Sequence, residues 1–175
     1  MGKRSNFERV EKDFYPTPIE AVKPLIPHIY KSFDFSEPCC GDGRLVKHIE
    51  ALTKGRCIQS SDINEGFDAK TVKINRNSSL VITNPPWTRS ELHPIIENLS
   101  DQKPTWLLFD ADWMHTKQSI PYLNRLKKII SVGRVKWIEN SKMTGKDNVC
   151  WYLFDRPDPE NFWGTEFVGR QDVGR

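Results

Sequence analysis

A rhythm in the chain limits its fold more than anything else. From residue 33 to residue 130, short apolar runs alternate with stretches of helical periodicity, and then the alternation fails. "FDFSEPC" (33–39) reads as a first strand leading into the turn "CGDG". "RLVKHIEALTKG" (44–55) has apolar residues at 45, 46, 49 and 52, the spacing of one helix face, with Gly55 expected to close it. "RCIQSSD" (56–62) is a second strand and "LVIT" (80–83) a third. "ELHPIIENLS" reads as helix despite Pro94, "TWLLFDAD" (105–112) as strand and "SIPYLNRLKKII" (119–130) as helix. Beyond it, "GRVKWIE" (133–139) and "VCWYLFD" (149–155) flank a polar loop and suit an antiparallel hairpin.

Strand–helix alternation demands a mostly parallel α/β sheet with helices on both faces, because each crossover lays its helix over the sheet. At 175 residues and 37% hydrophobic content, one domain with a sizeable core is expected. No apolar run approaches the length of a membrane span, and "MGKRSNFERVEKD" is charged where a secretory signal would be apolar. A cytoplasmic location without membrane contact is the expectation. Cys39, Cys40, Cys57 and Cys150 fit no zinc spacing, so no metal is expected. Net charge is only +3, but residues 121–150 hold seven basic side chains against two acidic ones. Such a cluster suits a solvated face and equally a path for a phosphate backbone.

In sheets of this kind ligands sit outside the carboxyl ends of the strands, at the point where strand order reverses. Three such ends carry distinctive residues. After the first strand, "EPCCGDGRL" sets Gly41 and Gly43 one residue apart on a strand-to-helix turn, where bare backbone can lie against a ligand. An ordinary tight turn would look the same. A nicotinamide loop would want a third glycine near position 46, which is Val46. Asp62 ends the next strand, where a carboxylate can take ribose hydroxyls. A ribose acid without the pyrophosphate glycine favours a nucleoside cofactor lacking pyrophosphate, with S-adenosylmethionine the obvious candidate.

The third end is "LVITNPPW", a strand that stops at two prolines, neither able to donate to a sheet ladder. Asn84 and Pro85 offer a side-chain oxygen and a backbone carbonyl, and the prolines fix φ so that the carbonyl is aimed in advance. Two acceptors on the two N–H groups of a planar exocyclic amine stabilise the positive charge that develops as a methyl group arrives. Pro86 keeps the turn rigid, and Trp87 offers a flat face for a base removed from its stack.

At these residues the chain resembles class I S-adenosylmethionine-dependent amino-methyltransferases, and especially the small phage and prophage DNA adenine-N6 methyltransferases. "DFYPTP" (13–18) is similar to that family's first cofactor motif, and "EPCCGDG" to its glycine loop with Glu37 at the acidic position. Asp62 matches the ribose acid, Asp68 the residue that meets the cofactor's adenine, and "NPPW" the catalytic motif, with Trp87 where Tyr or Phe is more usual. The resemblance implies a Rossmann-like seven-stranded methyltransferase sheet over residues 13–155, between an extension (1–12) and a tail (156–175). It implies cofactor contacts from Tyr15, Thr17, Glu37, Gly41, Gly43, Asp62 and Asp68, and catalysis by Asn84, Pro85, Pro86 and Trp87. Trp137 lies where the family places a second aromatic, and packing between the sheet and a helix would suit it equally; Lys142 and Lys146 are candidates for phosphate contacts, and a solvated loop would carry them as well.

Trp106 and Trp151 read as core, whereas Trp113, just past a strand end, could border the pocket. Only 40 residues separate Gly43 from Asn84, so no separate target-recognition domain is expected and sequence specificity should be low unless a partner supplies it. DNA is the expected substrate. RNA base methylation and a catalytically idle nucleic-acid-binding or antirestriction module are the alternatives.

Overall fold

The computed structural model describes residues 16–138, 145–157 and 164–171. A short helix α1 (Ile19–Val22) runs into a 3-10 segment, Lys23–His28. Strand β1 (Ser32–Glu37) leads through the glycine turn into α2 (Arg44–Leu52) and then β2 (Lys54–Ser60). Strand β3 (Leu80–Thr83) is followed by α3 (Arg89–Ser100) and β4 (Thr105–Asp110). Two 3-10 segments, Ala111–His115 and Lys117–Arg125, precede β5 (Leu126–Arg134), β6 (Asn148–Phe154) and β7 (Glu166–Val168).

These strands form one seven-stranded sheet in the order β2-β1-β3-β4-β6-β5-β7. Four of them, β2, β1, β3 and β4, are mutually parallel, while β6 runs antiparallel to both of its neighbours, β4 and β5. Strand β7 is parallel to β5. This is the α/β sheet expected, including its antiparallel C-terminal pair.

Period-two alternation divides the core. Leu80, Ile82, Trp106, Leu108 and Trp151 face Ala21, Val22, Leu25, Leu45 and Ile49 from the α1 and α2 side. Val81, Leu107, Phe109 and Tyr152 face Leu92, Ile95, Ile96 and Leu99 of α3. Adjacent strand residues point to opposite faces, so apolar runs such as "LVIT" fill both. Trp106 and Trp151 are core, as expected, and the indole N–H of Trp151 donates to the Ala21 carbonyl at 2.7 Å.

Several boundaries differ from the sequence reading. Gly55 does not close α2; that helix ends at Leu52, and Thr53 turns the chain by donating to the Ile49 carbonyl at 2.7 Å. Gly55 is a β2 residue pressed against Phe33, where a Cβ would lie 2.6 Å from the ring. The expected helix 119–130 is replaced by a 3-10 segment with Pro121 inside it and by β5 from Leu126. Pairing of Ile129 and Ile130 with Tyr152 and Trp151 outweighs the helical spacing. The hairpin strand therefore begins well before 133, and Val135 and Trp137 lie beyond its end. Pro94 is tolerated in α3 because its missing N–H would have bonded back to Ser90, on an exposed turn. The seventh strand comes from the expected tail, so the sheet extends past residue 155.

Candidate active site

The order β2-β1-β3 sets the three distinctive strand ends side by side, where the chain reverses its direction of progress across the sheet. A cavity of about 600 Å³ opens there. Its wall includes Pro16 and Thr17, Cys39, Cys40 and Gly41, Asp62 and Asp68, and Asn84, Pro85 and Pro86. Residues far apart in sequence, singled out for different reasons, share one space.

The glycine loop is held by backbone and by one carboxylate. Gly41 and Gly43 both take left-handed φ, 51° and 75°. The Gly41 N–H donates to Asp62 Oδ2 at 3.0 Å, which ties the end of β2 to the loop after β1. Asp62 Oδ1 accepts from both the backbone and the side-chain nitrogen of Asn64, at 2.9 and 2.8 Å. A carboxylate offers about four acceptor positions. Those three bonds leave one, on Oδ2, so one incoming hydroxyl can be accepted there. Gly43 caps α2 and is not on the cavity wall.

Glu37 lies beneath the loop, wholly buried and off the wall. Its Oε1 accepts from the Cys39 backbone N–H at 3.2 Å and from the Thr83 hydroxyl, while Oε2 has no partner among the described residues. Burial dominates, raising the Glu37 pKa to about 8 against the opposing pull of those two bonds. The same burial, with Glu37 nearby, drives the Cys39 thiol far above its usual range. Asp68 accepts from the Lys70 N–H at 2.9 Å, and Lys70 in turn bridges to Glu91 at 2.7 Å.

The opposite wall is held by side chains. Asn84 Nδ2 donates to the buried Thr17 hydroxyl at 3.1 Å, and the Trp87 indole N–H donates to Asn84 Oδ1 at 3.3 Å. Trp137 meets Trp87 edge-on at 5.7 Å; neither ring is on the cavity wall, and both pack against the core. Lys146 is exposed on its loop, whereas Tyr15 and Lys142 lie outside the described residues. Trp113 does not border the cavity. It is fully buried, edge-on to Phe109 at 5.3 Å, with its indole N–H on His93 at 3.1 Å.

Sequence reasoning missed Ile63 and Phe67, which line the cavity and are 55% and 52% exposed. Their signal was present: two large apolar residues in the polar stretch "DINEGFDAK", directly after Asp62. It also missed Arg89, which donates to the Trp87 carbonyl at 3.3 Å and pairs with Asp110 at 3.1 Å.

No protein-family model matches the sequence, and neither does any curated protein. Solved structures do. The type IIG restriction endonuclease BpuSI is similar at 14% identity and a TM-score of 0.52, over 80% of this chain and 25% of its own. The M protein of the type I restriction enzyme EcoKI (EC 2.1.1.72) is similar at 10% identity and a TM-score of 0.50, over 79% of this chain and 43% of its own. The tRNA (m1A58) methyltransferase TrmI from Aquifex aeolicus gives 13% identity and a TM-score of 0.44, over 85% and 72%. The chain thus spans less than half of either restriction protein. The fold is the Rossmann-like methyltransferase fold.

Proposed function

We propose that this chain is an S-adenosylmethionine-dependent methyltransferase acting on the N6 amine of adenine in DNA. The carrying observation is that one cavity is bounded both by the glycine loop with Asp62 and by Asn84-Pro85-Pro86. The residues fit the cofactor. Gly41 and Thr17 would border its methionine part, the open position on Asp62 Oδ2 would take a ribose hydroxyl, and Ile63 and Phe67 would flank its adenine near Asp68. Glu37 acts from below, fixing the Cys39 N–H and the Thr83 hydroxyl rather than touching the ligand.

The bound cofactor supplies an electrophilic methyl group on a sulfonium. Asn84 Oδ1 and the Pro85 carbonyl accept from the two N–H groups of the target amine, and their attraction grows as positive charge develops on its nitrogen. The Trp87–Trp137 pair offers the aromatic faces for an adenine taken out of its stack, and Lys146 a phosphate contact. Asn-Pro-Pro-aromatic suits a planar exocyclic amine such as the N6 of adenine. The EC class of the EcoKI M protein, that of adenine-N6 DNA methyltransferases, supports DNA as the carrier of that adenine.

The test is incubation of the purified chain with methyl-labelled cofactor and, separately, DNA, RNA and protein, followed by nucleoside analysis. Label in N6-methyl-deoxyadenosine from DNA is expected. Label confined to RNA or protein would replace the substrate, and no transfer to any of them would end the enzymatic reading.

A further inference from the structure

We propose that Trp87 is a positioning residue as well as a stacking platform: its indole N–H sets which end of the Asn84 amide faces the target amine. The inference rests on the methyltransferase reading for its consequence, but not for its geometry. A side-chain amide has two faces of opposite character, and only the oxygen can accept from an amine N–H. Turned over, Asn84 would present its own N–H groups to the amine and repel it.

Thr17 and Trp87, two of the partners of this amide, are not equivalent. Thr17 bonds Nδ2 through a hydroxyl, which can donate or accept and so tolerates either orientation. An indole N–H can only donate. Trp87 Nε1, 3.3 Å from Oδ1, therefore requires the oxygen on the side of the Trp87–Trp137 pair. A carbonyl oxygen carries two lone pairs, so a target amine resting against those aromatics can share Oδ1 with the indole.

The donor is itself held. The Trp87 carbonyl accepts from Arg89, Arg89 is fixed by Asp110 at the end of β4, and the Trp137 ring closes on the indole edge-on. A phenylalanine at position 87 could stack on a base but could not orient the amide. This gives a reason for tryptophan at this position that stacking alone does not.

Two measurements on the full chain test the proposal. In the first, the Trp87 indole signal is found among those of the six tryptophans by its loss in Trp87→Phe. Asn84→Ala should shift that signal upfield and speed its exchange with solvent, whether or not the protein methylates anything. A signal unmoved by Asn84→Ala would overturn the hydrogen bond. The second compares single-turnover methyl transfer to DNA for Trp87→Phe in the native chain and in Asn84→Asp, whose symmetric carboxylate has no orientation to set. Trp87→Phe should slow transfer about tenfold in the native chain, and at least threefold less than that in the Asn84→Asp chain. Equal losses in both would leave only stacking and refute positioning. If the native chain transfers no methyl group while the indole signal still responds to Asn84→Ala, the amide orientation stands and the methyltransferase reading falls.

Discussion

The two walls of the cavity are built by different means. The wall after β1 and β2 is a backbone wall: left-handed Gly41, with left-handed Gly43 behind it, and one carboxylate that accepts from a loop N–H and from two N–H groups of Asn64. The wall after β3 is a side-chain wall, in which a threonine hydroxyl and an indole clasp one amide. Backbone holds a bound molecule in a fixed place but cannot be retuned by small substitutions. A clasped amide is aimed at a reacting atom, and changing one side chain can spoil the aim. Under the proposed function, the first wall would bind the cofactor and the second would carry the chemistry.

Asn84→Ala should break that comparison most sharply if it is wrong. Removing one oriented acceptor should slow single-turnover transfer on the order of 10²–10³-fold. Cofactor affinity, measured by calorimetry, should change little. A folded Asn84→Ala chain with near-normal transfer would return "NPPW" to the status of a turn.

Asp62→Ala should do the reverse, weakening cofactor binding by roughly 1–3 kcal/mol while leaving the aim of Asn84 intact. Its bonds to Gly41 and Asn64 add a second effect, since the loop loses its anchor. Thermal stability should drop along with affinity, and unchanged affinity in a folded Asp62→Ala chain would sink the assignment.

Glu37 sharpens the same contrast through pH. Its folded pKa, raised by burial from 4.5 to about 8, means the native state holds its proton where the unfolded chain has released it. That contribution to stability is complete below about pH 4.5 and is lost as pH rises to about 8. One pKa unit corresponds to about 1.4 kcal/mol, so the unfolding free energy of the empty protein should fall by about 2 kcal/mol between about pH 6 and 7.5 from this group. Glu37→Gln, which cannot ionise, should flatten that slope in urea melts taken at several pH values. A slope identical to that of the native chain would place the titration elsewhere.

The half of the sheet that carries the site was legible because its signals are local and redundant. Strand β1 leads into the glycine turn and β3 ends at Asn-Pro-Pro, and both endings carry candidate site residues. The other half was misread where two local rules conflict. Leu126, Ile129 and Ile130 satisfy helical spacing, yet they pair with Phe154, Tyr152 and Trp151, and nothing near them in sequence announces that partnership. The seventh strand, Glu166–Val168, is three residues long and gains its place only from pairing with β5. Within the site, individual residues were legible by type. Their bonds were not, because the Thr17–Asn84 contact spans 67 positions of sequence and exists only once the sheet is assembled.

The smallest expected effect separates the two glycines of the turn after β1. Gly43 has φ +75° and no atom within 4 Å of where a Cβ would stand, so only backbone strain opposes a side chain there. Gly43→Ala should cost about 1–2 kcal/mol of stability, the penalty of a left-handed conformation for an L-residue. Because Gly43 is off the cavity wall, cofactor affinity should change by less than about twofold beyond that loss of folded protein. Gly41 is on the wall and hands its N–H to Asp62, so Gly41→Ala should lower affinity as well as stability. Calorimetric titration of both folded variants decides it. If Gly43→Ala weakens binding as much as Gly41→Ala, the glycine turn contacts the ligand along its whole length, and the wall is wider than the cavity suggests.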